Sequence, residues 1–174
     1  MSELVTERLV LRPHTLDDVA DCTEMWGDPA VTRFIASGAT YPASDVWSRV
    51  LRYAGHWALN GYGFWAARER TTGRFVGDVG LMEFRRGMVA GTPGLSLEEP
   101  ECGWVLAAWA HGRGYATEAM RAVTAWADER FPRLMCIIDP DNEISVRVAQ
   151  KLGFGETGTA LFAGKPVRVF HRPA

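Results

Sequence analysis

Gly103-Trp104-Val105-Leu106, a short connection, and then His111-Gly112-Arg113-Gly114-Tyr115-Ala116-Thr117-Glu118-Ala119 is the stretch on which the reading of this chain turns. A buried strand runs into a glycine-rich turn, and a helix begins inside that turn. The first four amides of a helix have no partner within it, and the helix dipole places partial positive charge at the same end. Gly112, Gly114 and the small Ala116 let an anion come close to those amides, which predicts a phosphate or pyrophosphate ligand. For two glycines alone, an ordinary strand-to-helix turn is the plainer reading. The stretch argues against a P-loop nucleoside triphosphatase, which needs Lys-Ser or Lys-Thr after its second glycine where Tyr115-Ala116 stands.

Working outward, Leu9 and Leu11 alternate with Arg8, Val10 and Arg12 up to Pro13, which reads as a first strand. Thr15 and Asp18 have capping-box spacing for a helix to about Trp26. Asp28-Pro29 opens a short helical piece around Val31, Phe34 and Ile35. A long helix from Ser44 or Asp45 to Asn60-Gly61 keeps Val46, Val50, Leu51, Ala54, Trp57 and Ala58 on one apolar face. Residues 62–69 and 74–82 read as strands of a hairpin turned at Thr72-Gly73. Residues 83–100, with Gly87, Gly91, Pro93 and Gly94, have no period and read as a long loop or a frayed hairpin.

Residues 101–106 then form a strand, 114–130 a helix, 134–138 a strand and 143–152 a helix, with closing strands near 158–162 and 167–171. The expected fold class is α/β (α+β): a single domain over residues 1–174, with one central mixed, mostly antiparallel sheet flanked by helices. A length of 174 residues suits one domain that buries its own core without disulfide or metal staples. A net charge of −2 argues against direct nucleic-acid binding, and no run of about 18 apolar residues or leader points to a membrane. Cys22, Cys102 and Cys136 show no metal or redox spacing, which suits a reducing cytoplasm and predicts no metal.

Two further stretches bear on function. Gly153, Gly155 and Gly158 satisfy the dinucleotide pattern GxGxxG, but they follow a helix and enter a strand, the reverse of what that pattern requires. Gly153 reads instead as a helix end. In Asp139-Pro140-Asp141-Asn142-Glu143-Ile144-Ser145, Asn142 is a natural N-cap for the helix carrying Ile144, Val148, Ala149 and Leu152. Ser145 lies one turn in, so both can face the crevice of the phosphate loop.

Taken in order, His-Gly-Arg-Gly-Tyr-Ala-Thr-Glu-Ala (111–119), Pro-Asp-Asn-Glu-Ile-Ser (140–145) and Lys-Leu-Gly-Phe (151–154) resemble the GNAT family of N-acetyltransferases. Thr-Glu-Arg-Leu-Val-Leu-Arg-Pro (6–13) is similar to the subgroup that acetylates the N-termini of ribosomal proteins. The resemblance implies acetyl-CoA as co-substrate and a primary amine as acceptor. It also implies that the backbone of Val105, Leu106 and Ala107 holds the pantetheine arm, that His111, Gly112, Arg113, Gly114, Tyr115, Ala116 and Thr117 hold the pyrophosphate, and that Asn142 and Ser145 face the thiol end. His111 departs from the Gln or Arg that usually begins the loop, and a structural role suits it as well.

Direct transfer from a thioester needs a neutral amine, a donor for the developing oxyanion and stabilisation of the leaving thiolate. An α-amine with a pKa of about 8 needs less help to lose its proton than lysine at about 10.4. Glu101 is the candidate base, with a solvated place in Glu98-Glu99-Pro100-Glu101 as its plain alternative, and Glu83 is a weaker candidate. The amide of Val105 or Leu106 would polarise the thioester. No tyrosine follows Tyr115, so Ser145 is the donor left for the sulfur. Trp26, Phe34, Trp47, Trp57 and Trp65 are divided between core and acceptor groove, and Arg85-Arg86 between acceptor attraction and solvated surface. A catalytically idle acyl-CoA sensor is the competing reading, and a homodimer is left open.

Overall fold

The computed structural model describes residues 3–85, 87–93 and 95–173. Arg86 and Gly94 of the expected loop lie outside them. The chain opens with β1 (Leu4–Val5) and β2 (Leu9–Pro13). A 3-10 turn over Leu16–Asp18 leads into α1 (Val19–Trp26), and the Asp18 carboxylate accepts the Thr15 amide at 2.8 Å. Then come α2 (Pro29–Thr32), whose first turn is capped by Asp28, and α3 (Ala43–Asn60). The order continues β3 (Phe64–Glu69), β4 (Phe75–Met82), β5 (Val89–Ala90), β6 (Glu101–Leu106), α4 (Tyr115–Asp128), β7 (Arg133–Ile138), α5 (Glu143–Lys151), β8 (Gly155–Phe162) and β9 (Lys165–Pro173).

Among the described residues these strands form one nine-stranded sheet in the order β1-β2-β3-β4-β6-β7-β9-β8-β5. Every neighbouring pair is antiparallel except β6 and β7, which the α4 crossover makes parallel. This is the expected single domain with a mixed, mostly antiparallel sheet. Helices α4 and α5 cover one face, packing Met120, Val123, Val146 and Ala149 onto Val79, Leu81, Cys102, Leu134 and Cys136. Helices α1 to α3 cover the other, where Cys22, Trp26, Val31, Val46 and Val50 meet Ala66 and Val105.

β6 and β7 are paired at a single position, Glu101 with Met135, and diverge from there. The sheet therefore splits along its middle, with β6 still fully paired to β4 on its other side.

Several sequence expectations change. The alternation before Pro13 gives no sign of β1, which is too short to show a period. The buried stripe of α3 is Val46, Val50, Tyr53, His56 and Trp57, while Leu51, Ala54 and Ala58 face outward. Counting apolar residues missed this because His56 and Tyr53 bury polar-tipped rings: His56 Nδ1 lies against the Tyr62 carbonyl. In α5 the buried positions are Val146 and Ala149, and Ile144 is exposed. The long loop is tied down, with Val89–Ala90 paired to β8 and the Gly91 amide donating to Thr159 O at 2.8 Å. Glu99 and Glu101 are not part of a solvated cluster: Glu99 accepts from Ser96 Oγ, and Glu101 is only 8% exposed. Gly153 ends α5, with the Gly153 amide on Gln150 O and the Phe154 amide on Ala149 O, the pairing of a Schellman stop.

Candidate active site

One cavity of about 850 Å³ runs through the split in the sheet from one face to the other. At one end stands the turn into α4. Gly112 (φ +72°) and Gly114 (φ +80°) both adopt left-handed backbone, which a side chain would strain. With the chain bent this way, the amides of residues 112–117 have no hydrogen-bond partner among the described residues, and the first helical bond is Glu118 N–H to Gly114 O at 3.0 Å. Six orphan donors at a helix start, beside a cavity, fit a pyrophosphate.

The loop is braced from behind. The Arg8 guanidinium donates to Arg113 O at 3.0 Å, pairs with Glu118 at 2.6 Å and lies over the Tyr115 ring at 4.5 Å. Tyr115 is itself buried and donates its hydroxyl to Glu69. Arg113 and the exposed side of His111 face solvent. The His111 ring turns back on its own strand, with Nε2 at 2.8 Å from Leu106 O, so it has a structural role in holding the turn.

The β6 register decides which main-chain groups face the gap. The Ala107 amide donates to Val76 O at 2.9 Å, and pairs alternate from there, so Val105 is also turned toward Asp78 in β4. The groups facing the gap are those of Trp104 and Leu106. Of the three residues expected to offer main-chain groups to a ligand, Val105 and Ala107 have theirs turned to β4, Leu106 faces the gap, and Trp104, which was not expected, faces it too. On the opposite wall α5 begins with Asn142, whose Oδ1 accepts the Ser145 amide at 3.1 Å. Asn142 and Ser145 both line the cavity.

Beyond the split, Glu101 shares the Gly103 and Val105 side of β6 and borders the same cavity. Glu83 does not border it. Its carboxyl is held below the usual range by the hydrogen bond from Arg85, and it also accepts from Tyr62. Of the aromatic residues, Trp57 and Trp65 pack edge to face in the core at 4.8 Å, Trp47 is exposed, and Trp26 and Phe34 line the cavity.

The sequence reading missed a buried polar cluster behind this wall. Asp78, in the middle of β4, accepts from Trp26 Nε1 at 2.8 Å, lies 2.8 Å from His14 Nε2 and receives the Cys22 thiol at 3.6 Å. His14, Cys22 and Asp78 have donor atoms within 4.8 Å of one another, but those atoms are spent on these hydrogen bonds. Burial pushes the Cys22 thiol far up, so it is no nucleophile. An aspartate inside an otherwise apolar strand was the available signal. Also missed were Arg49 and Tyr53, which line the cavity from α3.

An acetyltransferase (GNAT) domain model matches residues 8–155. The chain belongs to the GNAT acetyltransferase family. Its relative YkkB of Bacillus subtilis (strain 168), an uncharacterised protein, is 32% identical over 119 residues, which is 64% of this chain and 63% of YkkB, under two thirds of that relative's length. A GnaT-family acetyltransferase structure from Bordetella pertussis superposes with a TM-score of 0.82 at 29% identity, covering 99% of each chain. RimL, a ribosomal L7/L12 α-N-protein acetyltransferase solved with coenzyme A, shares the fold at a TM-score of 0.76 and 14% identity, covering 99% of this chain and 98% of its own. No helix among the described residues is long and apolar enough to cross a membrane, and Cys22, Cys102 and Cys136 are all free and buried.

Proposed function

We propose that this protein transfers the acetyl group of acetyl-CoA to a primary amine, that of a peptide N-terminus or of a small molecule. The observation that carries this reading is the run of six unpartnered amides, 112–117, at one end of a cavity whose other end holds the buried Glu101. The RimL-like fold supports the N-terminal arm of the reading.

The amides of residues 112–117 would hold the pyrophosphate, and the Leu106 amide and Trp104 carbonyl the pantetheine arm, since the Leu106 carbonyl is already held by His111. When bound, the coenzyme supplies an activated acetyl thioester. Glu101 would take a proton from the incoming ammonium, either directly or through water. An acceptor α-amine with a pKa of about 8 asks little of such a carboxylate. The Trp104 amide, farther along β6 from the pyrophosphate turn than Leu106, would polarise the thioester carbonyl, and the Ser145 hydroxyl would hydrogen-bond the sulfur while water supplies its proton.

Thiol release from acetyl-CoA, measured against a panel of peptides and small amines beside thermal stabilisation by CoA, tests this. Stabilisation together with thiol release is the expected result. Stabilisation without release for any amine would make the protein an acyl-CoA sensor, and stabilisation by NAD alone would remove the coenzyme assignment.

A further inference from the structure

Arg49 occupies a costly place. It lies beside Val50 on the inner side of α3 and borders the cavity beyond the split. Its guanidinium sits 3.8 Å from the centre of the Trp26 ring and 4.9 Å from that of Tyr41. Its Nε is buried and has no hydrogen-bond partner. Among the described residues it forms no ion pair: its hydrogen-bonding companion is the Tyr53 hydroxyl, which burial keeps in its neutral form, and the Asp78 carboxylate and Tyr41 favour its charge from farther off. The carboxylate of Asp78, deeper in the wall, is already engaged by His14 and Trp26.

A buried guanidinium with no carboxylate in contact and an unpartnered Nε leaves hydrogen-bonding capacity that an anion in the cavity would satisfy. Trp26 cannot swing away to relieve it, because its indole N–H is fixed on Asp78. The planar guanidinium keeps donors for an oxyanion while its faces lie on the two rings. Glu101 borders the same cavity, so an amine and an anion on one small molecule can be addressed together.

We propose that Arg49 is the anion-binding residue of the acceptor site, and that the acetylated amine carries an oxyanion, carboxylate or phosphate, at its other end. This rests on the acetyl-transfer reading above and narrows its acceptor to acidic amines.

Matched pairs test it: 4-aminobutyrate against 4-aminobutanamide, and O-phosphoethanolamine against ethanolamine, with thiol release as the readout. The acidic member is expected to exceed its neutral partner in kcat/KM by on the order of 30-fold, the scale of a charge-assisted contact. The two pairs separate carboxylate from phosphate. Arg49→Met, which keeps a long apolar stem over Trp26, should bring the ratio close to unity through KM, and Arg49→Lys should retain part of it.

A second readout needs no turnover. With CoA present, phenylpropionate and phenyl phosphate should raise the Tm of the wild-type protein more than phenylpropionamide does. Arg49→Met should abolish that difference while still being stabilised by CoA, which reports an intact fold. Equal turnover within both pairs, or no anion-specific rise in Tm, overturns the Arg49 assignment and leaves acetyl transfer standing. Loss of both CoA stabilisation and thiol release in the wild type would overturn the reading beneath it.

Discussion

The cavity wall at the start of α4 comes from one unbroken run, residues 111–117, whereas the wall around Arg49 gathers Trp26 from α1, Val31 from α2, Arg49 and Tyr53 from α3, Glu101 from β6 and Lys165 from β9. The first offers main-chain donors, so it asks only for small residues and two left-handed turns. The second offers side chains, each aimed by packing far from it in sequence. Changes in the first should be felt by the coenzyme, and changes in the second by the acceptor.

The sharpest way to break that division is Glu101→Gln, a substitution of equal shape. Thiol release should fall by about 10²- to 10³-fold, the scale of general-base catalysis, with CoA stabilisation kept. An equal loss of CoA stabilisation would show that the two walls act as one. Next is Gly114→Val, which puts a β-branched residue at φ +80° and a Cβ 3.5 Å from the Arg8 guanidinium. CoA affinity, measured by titration calorimetry, should weaken by on the order of 30-fold, with any preference among acceptors unchanged.

The smallest effect reaches the wall around Arg49 from behind. Asp18 ties α1 to the sheet through Arg12 at 2.8 Å and Arg68 at 2.7 Å. Burial alone would raise its carboxyl, but hydrogen bonds from Arg12, the Thr15 amide and Arg68 hold it at about 2. A folded pKa below the unfolded value of about 3.9 means that this contribution is complete above about pH 4 and is lost as pH falls toward 2. Asp18→Asn should therefore cost about 2 kcal/mol at neutral pH in denaturant unfolding, with the cost shrinking toward pH 2.

The same contrast explains what was legible in the sequence. The glycine turn into α4 is a local device, so Gly112, Gly114 and the start of α4 could be read from neighbouring letters. The mixed sheet followed from the order of the elements. The wall around Arg49 could not be read in this way, because nothing near Arg49 in sequence says that it will meet Trp26 and Tyr41. Its one trace, an arginine beside Val50 and one turn after Val46 on an apolar stripe, looks like surface until the stripe is oriented. Likewise the main-chain groups facing the gap are those of Trp104 rather than Val105, because pairing parity belongs to β4 as much as to β6. A one-residue question of that kind needs the partner strand.

The split between β6 and β7 has a consequence for self-association. Each of these strands carries an unpaired edge in the middle of the sheet, facing the other across the gap. Unpaired strand edges are templates for pairing with a foreign chain. A pantetheine arm lying along β6 would occupy that edge as a short stand-in strand. The coenzyme would then protect the protein from misassembly as well as supply its acetyl group. In concentrated solution at raised temperature, light scattering should rise later when CoA is present, and by more than the gain in Tm alone explains.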